Sequence, residues 1–326
     1  MNNQSTDVGI QESLAIKPIL LIAFNRPEKT RQLVHELLQY KQFRIYIAVD
    51  APRICADEYK CKIVLTELEK LKILHRVIIR VNENNLGCGR NIHDALKWFL
   101  SHEECGIIIE DDIQLMPGFF DYMTNALEIH ANNSEIGCIS SSAYLSSGNV
   151  GTYFLSKYPN VWGWGLWRRS LEGYKLVYNN QEIIRFAFML FDKQRRLFEP
   201  IYWALAVKLC STRRIDTWDI QLYLHLMSKG MKCLMPAEPL SCNIGFDEEA
   251  THTKKAPDHY IKYQEYMHNN LRLRASLPAM KSPSPAPSYD KLVKYKIFKI
   301  NIGTILKLAL KLLSTSSSSY WPSKTK

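Results

Sequence analysis

Three consecutive carboxylates, Glu110-Asp111-Asp112, end a short run of β-branched residues, Gly106-Ile107-Ile108-Ile109. Such a run reads as a buried strand, so the acids arrive together at one point. Crowded carboxylates repel one another unless a positive charge lies among them. A hard divalent cation, Mn2+ or Mg2+, suits the position, because it takes one or two carboxylates and fills its shell with phosphate oxygens and water. The plain alternative is a strand-end turn whose acids are solvated. Two further acids stand in Arg213-Arg214-Ile215-Asp216-Thr217-Trp218-Asp219-Ile220, which opens a later helix. Either can be an N-terminal cap favoured by the helix dipole. Asp216 alone would fill that role and leave Asp219 free for chemistry. His252, in the loop Asn243 to Thr253, is either a metal ligand beside Asp112 or an ordinary surface histidine.

The elements that must position these residues follow from the apolar spacing. Pro18 to Phe24 is a buried strand that ends at Asn25-Arg26-Pro27, and Leu33, Val34, Leu37 and Leu38 then recur at helical spacing. Phe43 to Val49 is a second strand, closed by Asp50-Ala51-Pro52-Arg53; a helix and a third strand, Arg76 to Val81, follow. The turn Asn84 to Asn91 leads into a helix, and the strand with the three acids comes next. This rhythm predicts right-handed crossovers and a largely parallel sheet, an α/β fold. Each strand ends in a polar group: Asn25 and Arg26, Asp50, the turn with Arg90, and Glu110 to Asp112. Strand ends on one edge of such a sheet converge on one crevice, and four polar ends there predict a nucleotide-type site. Gly87-x-Gly89 lacks the third glycine of a dinucleotide fingerprint, and no Walker A sequence is present. That turn, with Arg90, either holds a pyrophosphate or is only a turn.

Helices are expected over Phe119 to Ile129, Gln181 to Leu190 and Phe198 to Cys210, and strands over Ile136 to Ser140 and Met231 to Met235. Trp162-Gly163-Trp164-Gly165-Leu166-Trp167 follows neither helical nor strand spacing. Indole faces stack on sugar rings or bases, which makes Trp164, at the centre of the segment, a donor contact; the other reading is a hydrophobic anchor for a surface loop.

The 326 residues are 46% hydrophobic and carry a net charge of +10, which calls for anionic partners: nucleic acid, phosphorylated ligands or a membrane surface. Eight scattered cysteines without a C-x-x-C pair fit neither a zinc site nor a disulfide scaffold and suit a reduced, cytoplasmic setting. Residues 1–16 read as a flexible start without signal-peptide character, and no apolar run is long enough to span a bilayer. The main domain is expected over 17–280. Pro and Ser residues mark 281–290 as a linker. Residues 291–326 form a basic amphipathic tail, with six lysines and no acid from Lys291 to Leu313, suited to an anionic membrane surface. Nucleic acid is disfavoured, because the lysines gather in the tail rather than along a base-stacking groove.

Ile22-Ala23-Phe24-Asn25-Arg26-Pro27, Val49-Asp50, the Asn84 to Asn91 turn, and Ile109-Glu110-Asp111-Asp112 with Pro117-Gly118-Phe119-Phe120 together resemble GT-A-fold glycosyltransferases. The likeness is to the N-acetylglucosaminyltransferase I type and its bacterial sugar-transferase relatives. It runs from about residue 17 to 255 and weakens after Trp167. The resemblance implies an inverting, metal-dependent transferase using a nucleotide-sugar donor, a UDP-sugar being favoured, and a glycan or lipid-linked acceptor such as lipopolysaccharide at the inner face of a cell membrane. It places Arg26 near the donor phosphates or nucleotide and Asp50 on the base. It sets Glu110 and Asp111 on the ribose or sugar, Asp112 on the metal, and Asp219 as the catalytic base with Asp216 the alternative. A sugar-phosphate nucleotidyltransferase fits less well, since the first loop lacks that class's glycines and lysine. A noncatalytic carbohydrate- or nucleotide-binding protein on the same fold is the third reading.

Overall fold

Residues 17–110 alternate strand and helix because their apolar residues switch between a buried run and a one-sided helical stripe. In a computed structural model of the chain, which describes residues 17–71, 73–145, 152–194, 197–246, 261 and 282–314, this part forms β1 (Lys17–Ala23), α1 (Pro27–Leu38), β2 (Phe43–Val49), α2 (Cys55–Glu69), β3 (Val77–Val81), α3 (Cys88–His102) and β4 (Cys105–Glu110). β1 pairs in parallel with both β2 and β4, and β2 with β3. Alternate side chains serve two cores on opposite faces of the sheet. Ile19, Leu21, Ile45, Ile47, Ile107 and Ile109 pack on one face, and Leu20, Ile22, Tyr46 and Ile108 on the other. Burial on both faces explains why these strands read as unbroken apolar runs.

The chain continues through β5 (Ile113–Leu115), α4 (Phe119–Ile129), β6 (Ile136–Ser140), β7 (Tyr153–Ser156), β8 (Trp164–Trp167), a 3-10 turn (Arg168–Leu171), α5 (Asn180–Gln194), α6 (Phe198–Ser211), α7 (Asp219–Lys229), β9 (Lys232–Pro236) and β10 (Ser241–Asn243). The last elements are β11 (Ser284–Pro285), α8 (Pro287–Leu292), a π-helical turn over Val293–Ile297 and α9 (Ile302–Leu313). One nine-stranded sheet has the order β11-β7-β9-β6-β8-β4-β1-β2-β3, and β5 pairs with β10 as a separate two-stranded sheet. The α/β class with a large central sheet flanked by helices is as expected. The sheet is parallel from β3 to β4, but β8 runs antiparallel to both β4 and β6, so the other half is mixed.

Two expectations need correction. The Trp-Gly segment contains a central strand: Trp164, Leu166 and Trp167 are all buried in β8, and burial on both faces removes the alternation that marks a strand. The expected linker and tail are divided differently. β11 adds an edge strand parallel to β7, a position that tolerates proline. Ala286, Tyr289, Val293 and Ile300 are then buried in the main core. Glu199, itself buried, holds this segment down by accepting from Lys294 Nζ at 3.0 Å, Lys157 Nζ at 2.7 Å and Tyr158 Oη at 2.5 Å. Thus 282–300 sends side chains into the core, whereas α9 buries none.

Candidate active site

A cleft of about 510 Å³ opens where β1, β2 and β4 end. Its first wall is built by the turn after β4. Glu110, Asp111 and Asp112 all line it, and Arg26, the residue before α1, reaches across from the end of β1. One guanidinium nitrogen, Arg26 Nη1, donates to Asp111 Oδ1 at 2.7 Å and Asp112 Oδ2 at 2.9 Å. Asp111 also accepts the backbone N–H of Phe24 at 3.1 Å. Burial alone would lower the Arg26 guanidinium, yet Asp111 and Asp112 hold it above its ordinary value. Burial, then the charges of Asp112 and Asp111, push the Glu110 carboxyl well up. Burial likewise raises Asp111, against the opposing pull of Arg26.

Three acids thus face one guanidinium, and the residual negative charge is what a divalent cation would neutralise. Among the described residues no three His, Cys, Asp or Glu side chains converge as a ready-made metal site. The oxygen-only donor set still fits a hard cation that takes one or two carboxylates and draws its other ligands from phosphate and water. Asp112, 9% exposed at the cleft, is one of the carboxylates that could hold it. The strap after β10 lies directly on Asp112: Ile244 N donates to the Asp112 carbonyl at 2.8 Å, and a Cβ on Gly245 would overlap the carboxylate. His252 lies outside the described residues.

The second wall comes from the turn before α3. Asp50, buried at the end of β2, lines the cleft, but its carboxylate is already engaged. Oδ1 accepts from Ala51 N at 3.1 Å, Asn82 Nδ2 at 3.0 Å and Leu86 N at 3.0 Å, and Oδ2 from Asn85 Nδ2 at 3.0 Å. Burial raises its pKa and these donors oppose the rise. Asp50 therefore pins the Asn82–Leu86 turn to β2. Asn25 and Arg90 are not among the cleft-lining residues. Asn25 Nδ2 donates to Asp57 at 2.6 Å, and Arg90, half-exposed, pairs with Asp94 at 3.7 Å one turn along α3.

The third wall is the segment before α7. Asp216 and Asp219 both face the cleft and play different parts. Asp216 accepts Cys88 N at 3.1 Å and Gly89 N at 2.9 Å, so it caps α3 rather than its own helix. Gly87, at φ +77°, turns the chain into that N-terminus. The anion position at the start of α3 is therefore taken by a carboxylate of the protein, and not left for a pyrophosphate. Asp219 is the first residue of α7. Thr217 Oγ1 and Ile220 N both donate to its Oδ1, and among the described residues Oδ2 accepts no hydrogen bond. Its charge is felt at Glu110 across the cleft.

Trp164 does not reach the cleft. It is 1% exposed, with its ring stacked on Trp218 at 5.3 Å. The aromatic surface of the cleft comes instead from Phe24, Trp162, Trp218 and Phe246, the rings of Trp162 and Phe246 meeting edge to face at 6.0 Å. Arg53 and Asn85 line it too. Trp162 stands two residues before β8 begins, outside the strand that buries Trp164, and is only partly buried. Nothing local marks Phe246, which is brought in by the pairing of β10 with β5.

The profile of the GNT-I family matches residues 1–149, the stretch that carries Arg26, Asp50 and Glu110 to Asp112. The likeness read from these motifs is borne out over that stretch. No curated protein sequence matches the chain. Among solved structures the chain is similar to the mannosyltransferase PcManGT from Pyrobaculum calidifontis in complex with GDP-Man and Mn2+, at 10% identity and TM-score 0.40, over 92% of this chain and 86% of that one. It is similar to GalNAc-T7 with UDP, GalNAc and Mn2+, at 11% identity and TM-score 0.44, over 87% of this chain and 58% of that one. Mouse xyloside xylosyltransferase 1, apo form, gives 10% identity and TM-score 0.34, over 65% and 81%.

Proposed function

We propose that the protein is a glycosyltransferase of GT-A type that moves a sugar from a nucleotide-sugar donor, with inversion, and uses a divalent cation. The observation that carries this reading is the meeting of two opposed acid groups in one cleft: Glu110, Asp111 and Asp112 bridged by Arg26 on one side, and Asp219 on the other. The GNT-I match over residues 1–149 supports the donor side.

The chemistry divides between the two walls. Arg26 is the positive charge available to the donor diphosphate, and Asp111 and Asp112 hold it at the cleft. Asp112 would hold the cation, which, when bound, neutralises charge gathering on the departing nucleoside diphosphate. Glu110 and, beside its bonds to Arg26 and Phe24 N, Asp111 would accept hydrogen bonds from the ribose or sugar. Asp219 is the base: its Oδ1 is fixed by Thr217 and Ile220, and Oδ2 takes the proton of the attacking acceptor hydroxyl. Attack from the side opposite the leaving group needs one base and no covalent nucleophile, as in inverting glycoside chemistry. Trp162 and Phe246, which line the same cleft as Asp219, give an apolar face on which an acceptor sugar ring can stack.

We further infer a lipid-linked or lipopolysaccharide-type acceptor met at the cytoplasmic face of a membrane. Its support is the basic C-terminal region together with the family likeness. Purified protein screened against a panel of nucleotide sugars should cleave at least one of them, slowly without acceptor and only with Mn2+ or Mg2+. No donor bound and none cleaved, with metal present, would overturn the assignment.

A further inference from the structure

Helix α9 turns an apolar stripe outward. Ile302, Leu306, Leu310 and Leu313 are 62%, 56%, 65% and 78% exposed, and no residue of the helix is buried. Spacings of four, four and three put these side chains on one face of the helix. The helix is not loose. Its other side rests on α6, where Ile305, Leu308 and Leu312 are partly covered. Asn301 caps its start by accepting Thr304 N at 3.0 Å. Arg214, from the segment after α6, donates to the carbonyls of Lys311 and Ser314 at its end. A fixed surface helix with large aliphatic side chains in water calls for something to cover them.

Charge selects the occupant. Lys307 and Lys311 are exposed on the flank of the stripe, Lys299 precedes it, and no acid occurs between Asp290 and the end of the helix. We propose that α9 is an in-plane anchor on an anionic lipid surface, with the stripe at the boundary of headgroups and acyl chains and the flanking lysines at the phosphates. A second copy of the chain fits poorly. Pairing this face with itself would bring like lysines together in a chain of net charge +10. One helix about 18 Å long is also small beside the surface a stable dimer buries. Among the described residues no helix is long and apolar enough to cross a membrane, so the contact is with its surface. This placement deepens the transferase reading by setting the cleft beside a lipid-linked acceptor, and for that acceptor it rests on that reading. Lipid binding itself is read from α9 alone.

The test uses the full chain and sedimentation with vesicles of phosphatidylcholine, with and without phosphatidylglycerol. The wild type should bind the anionic vesicles and leave the neutral ones. Leu306→Ser with Leu310→Ser should weaken binding by about a hundredfold, and Lys307→Gln with Lys311→Gln by about tenfold. Thermal midpoint, solution mass and metal-dependent donor cleavage without vesicles should not change. Equal vesicle binding by wild type and the Leu306/Leu310 variant would overturn the anchor. A lower melting point in that variant would show that the chain itself covers the stripe, and a dimer lost on substitution would assign it to a second copy. Donor cleavage without lipid binding would remove the anchor and leave the transferase, and the converse result would do the reverse.

Discussion

The carboxylate of Asp216 lies 2.9 Å from the backbone nitrogen of Gly89, 127 residues earlier in the chain. It also accepts from Cys88, so it closes the start of α3 and ties the third wall of the cleft to the second. Asp219, three residues on, makes no such link. This separates two acids that the sequence leaves as alternatives. Asp219→Asn should lower kcat by about 10²–10⁴ with little change in stability. Asp216→Asn should keep much of the activity, because the amide oxygen can still accept from one of the two N–H groups, while Asp216→Ala should cost about 1 kcal/mol of stability. Steady-state kinetics with a melting curve for each variant decides the point; loss of kcat in Asp216→Asn equal to that in Asp219→Asn would reassign the base.

Arg26 is the single positive charge that bridges Asp111 and Asp112. Its removal leaves two buried carboxylates facing each other beside Glu110. Arg26→Ala should cost about 3 kcal/mol, in the range for breaking a buried ion pair. Mn2+ should raise the melting temperature of this variant more than that of the wild type, since the cation then replaces the lost charge. A variant that melts like the wild type and ignores Mn2+ would show that the acids are satisfied in another way.

Glu199 gives a pH-dependent lock on the chain's C-terminal segment. Burial alone would raise its carboxyl, but Lys157, Tyr158 and Lys294 hold it below the ordinary value. A carboxyl lowered by folding adds stability above the unfolded value, and that stability is lost as pH falls through the folded value. Lys294→Met should therefore cost about 3 kcal/mol at pH 7. The difference from wild type should shrink as pH drops below about 4. Urea unfolding across pH 3 to 7 reads this directly, and a difference independent of pH would assign the loss to packing.

The tryptophans divide between core and cleft. Trp164→Ala should cost about 3–5 kcal/mol, as for other buried aromatic truncations, and leave KM unchanged in the protein that remains folded. Trp162→Ala should keep the fold and weaken donor or acceptor binding about tenfold. The reverse pattern would return Trp164 to the site.

Much of the first wall of the cleft was legible because its cues are local. β2, α4 and β6 begin and end where apolar spacing puts them, and Arg26, Asp50 and Glu110 to Asp112 stand at strand ends that a parallel sheet gathers on one edge. The cues failed where distant residues decide. Asp50 reads as a free acceptor until Asn82, Asn85 and Leu86 fold back on it. Asp216 reads as the cap of the nearest helix but caps one from much earlier in the chain. Arg90 follows a promising glycine turn, yet helical geometry directs it to Asp94. Ser284 and Pro285 have linker composition, and an open sheet edge takes them as a strand. The lysine-rich tail likewise gave no sign that Lys294 would turn inward to Glu199 while Lys307 and Lys311 stay in water.

In the proposed mechanism Asp112 and a divalent cation together bind the donor diphosphate. Calorimetric titration of nucleoside diphosphate into wild type and Asp112→Ala, each with Mn2+ and with chelator, tests it most directly. Wild-type binding should require Mn2+ and tighten by at least about tenfold with it, whereas Asp112→Ala should show the same weak binding in both conditions. Metal-independent binding by the wild type, or undiminished Mn2+-dependent binding by Asp112→Ala, would contradict the account.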